Sequence, residues 1–353
     1  MSKKINTALV GFGMSGEYFH APFLNANPNF NLKKVVERHS EKSKQLYTYL
    51  QVVDNFEEVL SDKDIDLIII NTPNHLHYEM TKQALLAGKH VVVEKPFATT
   101  SSEAEELIRI AAQKNKILTV FHNRRWDGDF MTVRKIIKDK LLGELVELES
   151  HFDRFRNFIK PNTWKEENLP GTGLLYDIGS HLIDQAICLF GKPDSLFADL
   201  RIERTGGKII DCFEIIMNYG KLKVTLKSNY LSKIPLPRFT LHGTEGSFVK
   251  YGLDLQEDTL KLTGFKDTAD WGKDSEEFWG MIDTTFHGVQ IKKKIETMHG
   301  AYPVFFQNLY EAIAEGKELD VKPEEALITA RIIESAIESS NKKKIIEFLE
   351  RQN

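Results

Sequence analysis

The feature that most constrains this chain is the hexapeptide Gly11-Phe12-Gly13-Met14-Ser15-Gly16, which directly follows a short apolar run, Ile5 to Val10. Glycines at these spacings permit a tight reversal and a close backbone approach to a ligand, and a helix starting there aims free N–H groups at an anion. A glycine turn alone is a weak signal. Between a candidate strand and a candidate helix it fits a phosphate-binding turn for a dinucleotide, with Gly11, Phe12, Gly13, Met14, Ser15 and Gly16 as cofactor contacts.

The surrounding pattern agrees. Apolar runs at Leu32 to Val36, Leu67 to Asn71, His90 to Val93 and Leu118 to Phe121 alternate with helical spacing at Phe56 to Leu60, Tyr78 to Ala87 and Ser102 to Asn115. Strands without a polar face, separated by helices, predict a doubly wound parallel sheet of the Rossmann type in an α/β domain. Ser101 or Ser102 is expected to cap one helix, Gly88 to end another, and Pro22 to stop or kink the first. After Asn123 the period changes. A helix over Met131 to Lys138 leads to a strand pattern over Leu145 to Arg156. Alternation at Phe213 to Tyr219 and Leu222 to Tyr230, and a hairpin signal at His242 to Gly246, predict amphipathic strands. Helical patterns at Tyr302 to Glu315 and Pro323 to Ser339 close the chain. The expectation is a nucleotide domain over residues 1–123 and, over 124–353, an α+β domain with a large, mostly antiparallel open sheet.

Glu37, at the end of the second candidate strand, is placed to accept hydrogen bonds from an adenine ribose diol, which favours NAD. Arg38, His39, Ser40 and Lys42 beside it suit the 2′-phosphate of NADP instead. The choice between NAD and NADP stays open on sequence. Asn71, Thr72, Pro73, Asn74 and His77 follow the third candidate strand and are expected near a nicotinamide, while His75 is equally an exposed residue.

Three segments carry groups suited to hydride transfer. Glu94-Lys95-Pro96 follows the fourth candidate strand, at the end where open α/β sheets hold ligands, so Glu94 and Lys95 are expected at the cofactor; Lys95 there can also hydrogen-bond a reacting hydroxyl and stabilise an alkoxide. In Gly173-Leu174-Leu175-Tyr176-Asp177-Ile178-Gly179-Ser180-His181, Asp177 and His181 share a helix face, and a histidine beside a carboxylate suits proton transfer near neutral pH. A helix-start aspartate with a structural histidine competes with that reading. A metal pair ranks last, since no third ligand is evident. Asn123-Arg124-Arg125-Trp126-Asp127 offers Asn123 for cofactor and Arg125 and Trp126 for substrate, with an equal case for Arg124 as a structural clamp. Arg154, Arg156 and Trp164 suit contacts to hydroxyls and a sugar face, or an edge strand.

Composition excludes other classes. A net charge of −4 argues against nucleic acid and anionic membranes as partners. Two cysteines, Cys188 in a helix-like apolar stretch and Cys212 in a strand-like one, point to a reducing compartment rather than a disulfide framework. The start of the chain lacks a signal-peptide pattern and no apolar segment is long enough for a membrane span, so the expected location is cytoplasmic.

On Gly11 to Gly16, Glu94-Lys95-Pro96 and Asp177-x-Gly179-x-His181, taken in that order, the chain resembles the glucose–fructose oxidoreductase / inositol dehydrogenase / rhizopine catabolism (Gfo/Idh/MocA) family over nearly its whole length. Gly13 to Pro22, Asn123 to Asp127 and Phe248 to Gly252 resemble its bacterial scyllo-inositol dehydrogenases, which also accounts for Pro22. The resemblance implies a Rossmann domain, a C-terminal domain whose open sheet often joins subunits, and hence a homodimer or homotetramer. It implies that Lys95 positions the hydroxyl, Asp177 supports it and His181 is the acid–base in oxidation of a cyclic polyol or sugar. The scyllo-inositol subgroup tends to use NADP, from which Glu37 is an acidic departure. Two other expectations remain beside an inositol dehydrogenase: an aldose or sugar-acid dehydrogenase, and a non-catalytic NAD(P) sensor.

Overall fold

The computed structural model describes residues 4–38 and 40–348, so His39 lies outside the described residues. Six apolar segments form one all-parallel sheet: β1 (Ile5–Val10), β2 (Phe30–Val36), β3 (Gln51–Val53), β4 (Leu67–Ile70), β5 (His90–Val93) and β6 (Leu118–Val120), in the order β3-β2-β1-β4-β5-β6. Every residue of β4 is buried, as expected for a strand covered on both faces. The order reverses between β1 and β4, which makes the carboxyl ends of these two strands the switch point of the sheet.

Local chemistry explains the helix boundaries. Thr100, not Ser101 or Ser102, caps the helix Ser101–Lys114. Its hydroxyl accepts from the Glu103 amide, and the Glu103 side chain reaches back to the Thr100 amide. Pro22 falls just past the end of the first helical segment. The chain forms a π-helical turn over Ser15–His20, and Pro22 then sits in the first turn of a new helix, Ala21–Ala26, where a missing N–H costs little.

The second sheet has nine strands: β7 (Leu145–His151), β8 (Ser195–Arg201), β9 (Cys212–Tyr219), β10 (Leu222–Asn229), β11 (Phe239–Gly243), β12 (Gly246–Lys250), β13 (Gly280–Phe286), β14 (Val289–Ile295) and β15 (Ile346–Glu347). Their order is β14-β13-β12-β11-β7-β10-β9-β8-β15, antiparallel except for the β7–β10 pair. Alternate residues Phe213, Ile215 and Met217 of β9 and Val224 and Leu226 of β10 turn to a core shared with Ile178, Leu182, Ile183 and Ala186. Among the described residues, no helix is long and apolar enough to cross a membrane.

The chain divides into two compact units. One holds the chain up to Asn123 together with Gln256–Trp271 and Ala301–Leu327; the other holds Arg124–Leu255, Gly272–Gly300 and the chain from Ile328 onward. A single cut after residue 123 therefore describes the start of the second unit but not the two later segments that pack with the first. Aromatic burial is the reason they do so. On the helix Pro303–Glu315, Phe305 lies edge-on to Phe121 at 4.9 Å and Phe306 stacks on Phe23 at 5.5 Å.

The second unit encloses a charged network. Arg238, 2% exposed, faces Asp129 at 3.3 Å, donates to Gln185 Oε1 at 2.9 Å and also bonds the Ser150 hydroxyl. Burial pulls its pKa down, while the Asp129 and Asp127 carboxylates pull it back up. Removing one member leaves a buried charge uncompensated. Asp129→Ala is therefore expected to lower unfolding stability by about 3 kcal/mol or more, read as a lower urea midpoint. An unchanged midpoint would show that the network contributes nothing.

Candidate active site

The glycine turn is shaped by contact with the end of β4. Gly11 has φ +100°, and Asn71 Nδ2 donates to its carbonyl at 2.7 Å. A Cβ on Gly16 would lie 2.6 Å from Asn71 Nδ2 and 2.8 Å from the Gly11 oxygen, so only glycine fits there. Gly13 is exposed with open space where a Cβ would stand, and Met14 is exposed beside it, whereas Phe12 packs inward. The cradle is thus rigid on the Gly11 and Gly16 side and open at Gly13. Asn71 Oδ1 and Thr72 Oγ1 are buried here without a hydrogen-bond partner among the described residues. Buried polar atoms in that condition suit a ligand that carries amide and hydroxyl groups. NAD or NADP fits these residues: the turn would hold an anionic group, and Asn71 and Thr72 would meet amide or hydroxyl groups.

Glu94 organises this side. Its carboxylate accepts from the Ser15 hydroxyl, stands 2.8 Å from His20 Nε2, and accepts from the Lys95 amide at 3.2 Å. Burial would raise its pKa, but the His20, Ser15 and Lys95 interactions outweigh that and hold it below the usual carboxylate value. Its bonds therefore run to the chain itself, and Glu94 supports the cofactor turn from beneath. His20 belongs to the Gly13 to Pro22 segment that carries the resemblance, but sequence alone assigns it no role of its own. It is fully buried, lies 4.3 Å from the Phe121 ring, and its Nδ1 has no hydrogen-bond partner among the described residues. The one signal for it was a polar ring between Phe19 and Ala21.

His77 is fully buried, with Nδ1 2.8 Å from the Pro96 carbonyl and Nε2 2.9 Å from the Thr72 carbonyl. It ties the end of β4 to the Lys95-Pro96 turn through both ring nitrogens. Burial pushes its pKa down, while both carbonyls pull it up. Pro73 precedes the short 3₁₀ turn Asn74–Leu76, His75 is exposed, and Lys95 is half-buried at the carboxyl end of β5. Asn123, 6% exposed, opens the turn Asn123–Trp126.

Glu37 is engaged by the loop that follows it. Its carboxylate receives the Ser40 hydroxyl at 2.5 Å, the Lys42 amide at 3.1 Å, the Ser43 amide at 2.9 Å and the Ser43 hydroxyl. Arg38 beside it is exposed.

In the second unit, Asp177 lies in a π-helical turn, Leu175–Gly179, which runs into the helix Ser180–Phe190 that carries His181. The i,i+4 relation read from sequence therefore crosses a π-to-α junction, a local form frequent at functional sites. Arg154 lies over the Phe152 ring at 5.1 Å and reaches to 3.9 Å of Asp177, so these two candidates are brought together. Arg125 is placed otherwise than expected. It is 3% exposed and spans Asp184 with Nε at 2.8 Å and Nη2 at 2.6 Å, which clamps the His181 helix. Trp126 is buried as well. Half-buried Trp164 sits on a short turn, Trp164–Glu166, that Arg204 anchors through Glu166 at 2.8 Å. No group of three or more potential metal ligands occurs among the described residues.

A cradle of this kind at the switch point of a parallel sheet defines a dinucleotide-binding α/β protein. Residues 5–122 match the NAD-binding Rossmann fold of an oxidoreductase family, and residues 134–348 match that family's C-terminal alpha/beta domain. The chain belongs to the Gfo/Idh/MocA oxidoreductases. It is 38% identical over 343 residues to the scyllo-inositol 2-dehydrogenase (NADP(+)) of Bacillus subtilis, covering 97% of this chain and 95% of that protein. An uncharacterized oxidoreductase of Schizosaccharomyces pombe is 41% identical over 357 residues, 95% of this chain and 96% of that one. A crystal structure from Bacteroides fragilis superposes with a TM-score of 0.91 at 47% identity, covering 98% of this chain and 100% of that chain. The protein is thus an NAD(P)-dependent oxidoreductase.

Gly16→Val tests the cradle. It is expected to leave the protein folded by circular dichroism and to weaken NADH and NADPH binding at least about tenfold. Unaltered binding of both would remove the turn from the cofactor site.

Proposed function

We propose that this enzyme oxidises a secondary hydroxyl of a cyclic polyol, with scyllo-inositol as the best candidate substrate. Support for the substrate comes from the likeness to the B. subtilis enzyme over almost the full length of both chains. Support for the chemistry comes from Lys95, the observation that carries most weight. It is a half-buried cation at the carboxyl end of a central parallel strand, next to the anchored Glu94 carboxylate and the Pro96 carbonyl that His77 holds.

NAD or NADP, when bound, supplies the acceptor for the hydride. Lys95 Nζ donates a hydrogen bond to the reacting oxygen and stabilises the negative charge that grows there. His181 takes the hydroxyl proton at Nε2, the nitrogen opposite the buried Nδ1. Asp177, with Arg154 near it, orients a neighbouring hydroxyl. Arg125 acts indirectly, by fixing the helix on which His181 sits. A cation at this strand end can stabilise a developing alkoxide, which favours catalysis over a role as a nucleotide sensor.

Purified protein with NAD or NADP should reduce the cofactor in the presence of scyllo-inositol, and more slowly or not at all with myo-inositol and aldoses. Turnover of an aldose or sugar acid alone would transfer the assignment to that class, and binding of cofactor without turnover of any polyol would favour the sensor. Lys95→Met is expected to lower kcat by roughly two orders of magnitude or more while NADPH binding, read by fluorescence, persists. A kcat within a fewfold of the parent would contradict the role of Lys95.

A further inference from the structure

In dinucleotide folds of this topology, the residue after the second strand chooses the cofactor. An acidic side chain there bonds the ribose 2′-hydroxyl of NAD, whereas a nearby arginine receives the 2′-phosphate of NADP. This chain has both, Glu37 followed by Arg38, and the structure separates their roles. An ionised carboxylate offers about four lone-pair sites. In Glu37 they are taken by four donors from residues 40–43: two backbone amides and two serine hydroxyls. Its side chain is buried, its own amide donates to the Val53 carbonyl at 2.9 Å, and no acceptor capacity is left over for a diol.

The same bonds fold the segment after β2 around the carboxylate, so that its charge is compensated from within the loop. The cations of the segment remain outside. Arg38 is exposed, and its planar fork matches a phosphate. The Lys42 ammonium pairs with Glu17, on the π-helical turn that follows the glycine cradle, and the Glu17 hydrogen bond raises its pKa above the ordinary lysine value. Among the described residues, Arg38 is thus an exposed positive group able to receive an anion beside the nucleotide site, and Lys42 is held there by Glu17.

We propose that Glu37 is an internal brace of this loop, that it does not read the ribose diol, and that Arg38 makes the chain selective for NADP by receiving the 2′-phosphate. This inference rests on the dinucleotide fold and is independent of which alcohol is oxidised, so a binding measurement without substrate separates it from the proposed reaction.

The test is an equilibrium titration of the full chain with NADH and with NADPH, followed by nicotinamide fluorescence. NADPH is expected to bind at least about tenfold more tightly than NADH. Arg38→Ala, a change at an exposed position, should remove most of that margin by weakening NADPH while the NADH constant stays within about twofold. Glu37→Gln keeps the size and part of the acceptor set; any effect should fall equally on both cofactors and leave their ratio unchanged. Equal or tighter binding of NADH by the parent would overturn the proposal. So would an Arg38→Ala ratio equal to that of the parent, or a Glu37→Gln protein that loses NADH alone.

Discussion

One half-buried carboxylate, Glu94, carries much of the order in the nucleotide unit. Glu94 binds the Ser15 hydroxyl and His20, at the two ends of the π-helical turn, and the adjacent Lys95 amide, so that turn and the end of β5 are joined through two oxygen atoms. The cost of burying the charge is offset by these donors, as its lowered pKa records. Lys95 therefore does not sit in a free loop. Its amide is fixed by Glu94 and the Pro96 carbonyl is held by His77, whose other ring nitrogen holds Thr72. The phosphate turn and the proposed catalytic lysine are in this way parts of one rigid frame, which is what preorganised electrostatic catalysis requires.

The second unit uses the same device with more charges. Arg125 and Asp184, Arg238 and Asp129, and Arg124 and Asp127 form close opposite pairs in its interior. Gln185 links two of these pairs, since it accepts from Arg238 and donates to the Arg124 carbonyl at 2.8 Å. Asp184 and Gln185 lie on the helix of His181, so the network sets that helix against the sheet. A histidine that must take a proton from a fixed direction depends on such support, because a misplaced base loses most of its effect.

Much of the fold was legible because burial leaves a direct trace in sequence. Strands covered on both faces read as unbroken apolar runs, and β1, β4 and β5 appear almost at their true bounds. The three-residue β3 was too short to give any period. β8 and the β13–β14 hairpin were also missed; in β14 exposed lysines interrupt the apolar pattern. The packing of Gln256–Trp271 and Ala301–Leu327 with the first unit was illegible, because an aromatic cluster shows its members but not their partners. The candidate site divides likewise. Glycine spacing located the cradle, and strand ends located Lys95. A polar side chain at a strand end looks the same whether it meets a ligand or a buried partner, so the pattern could not show that Arg125 meets Asp184, His77 the Pro96 and Thr72 carbonyls, Glu94 the Ser15 and His20 side chains, and Glu37 the loop that follows it. Spacing fixes where such a group stands, and only packing decides what saturates it.

The central claim is that a hydrogen leaves a ring carbon of the polyol and arrives on the nicotinamide. Its most direct test is to supply scyllo-inositol deuterated at its ring carbons together with NADP and to locate deuterium in the reduced cofactor by NMR. The account predicts deuterium at C4 of the nicotinamide, on one face only. Absence of reduced cofactor, or a C4 position that carries only solvent hydrogen, would contradict it.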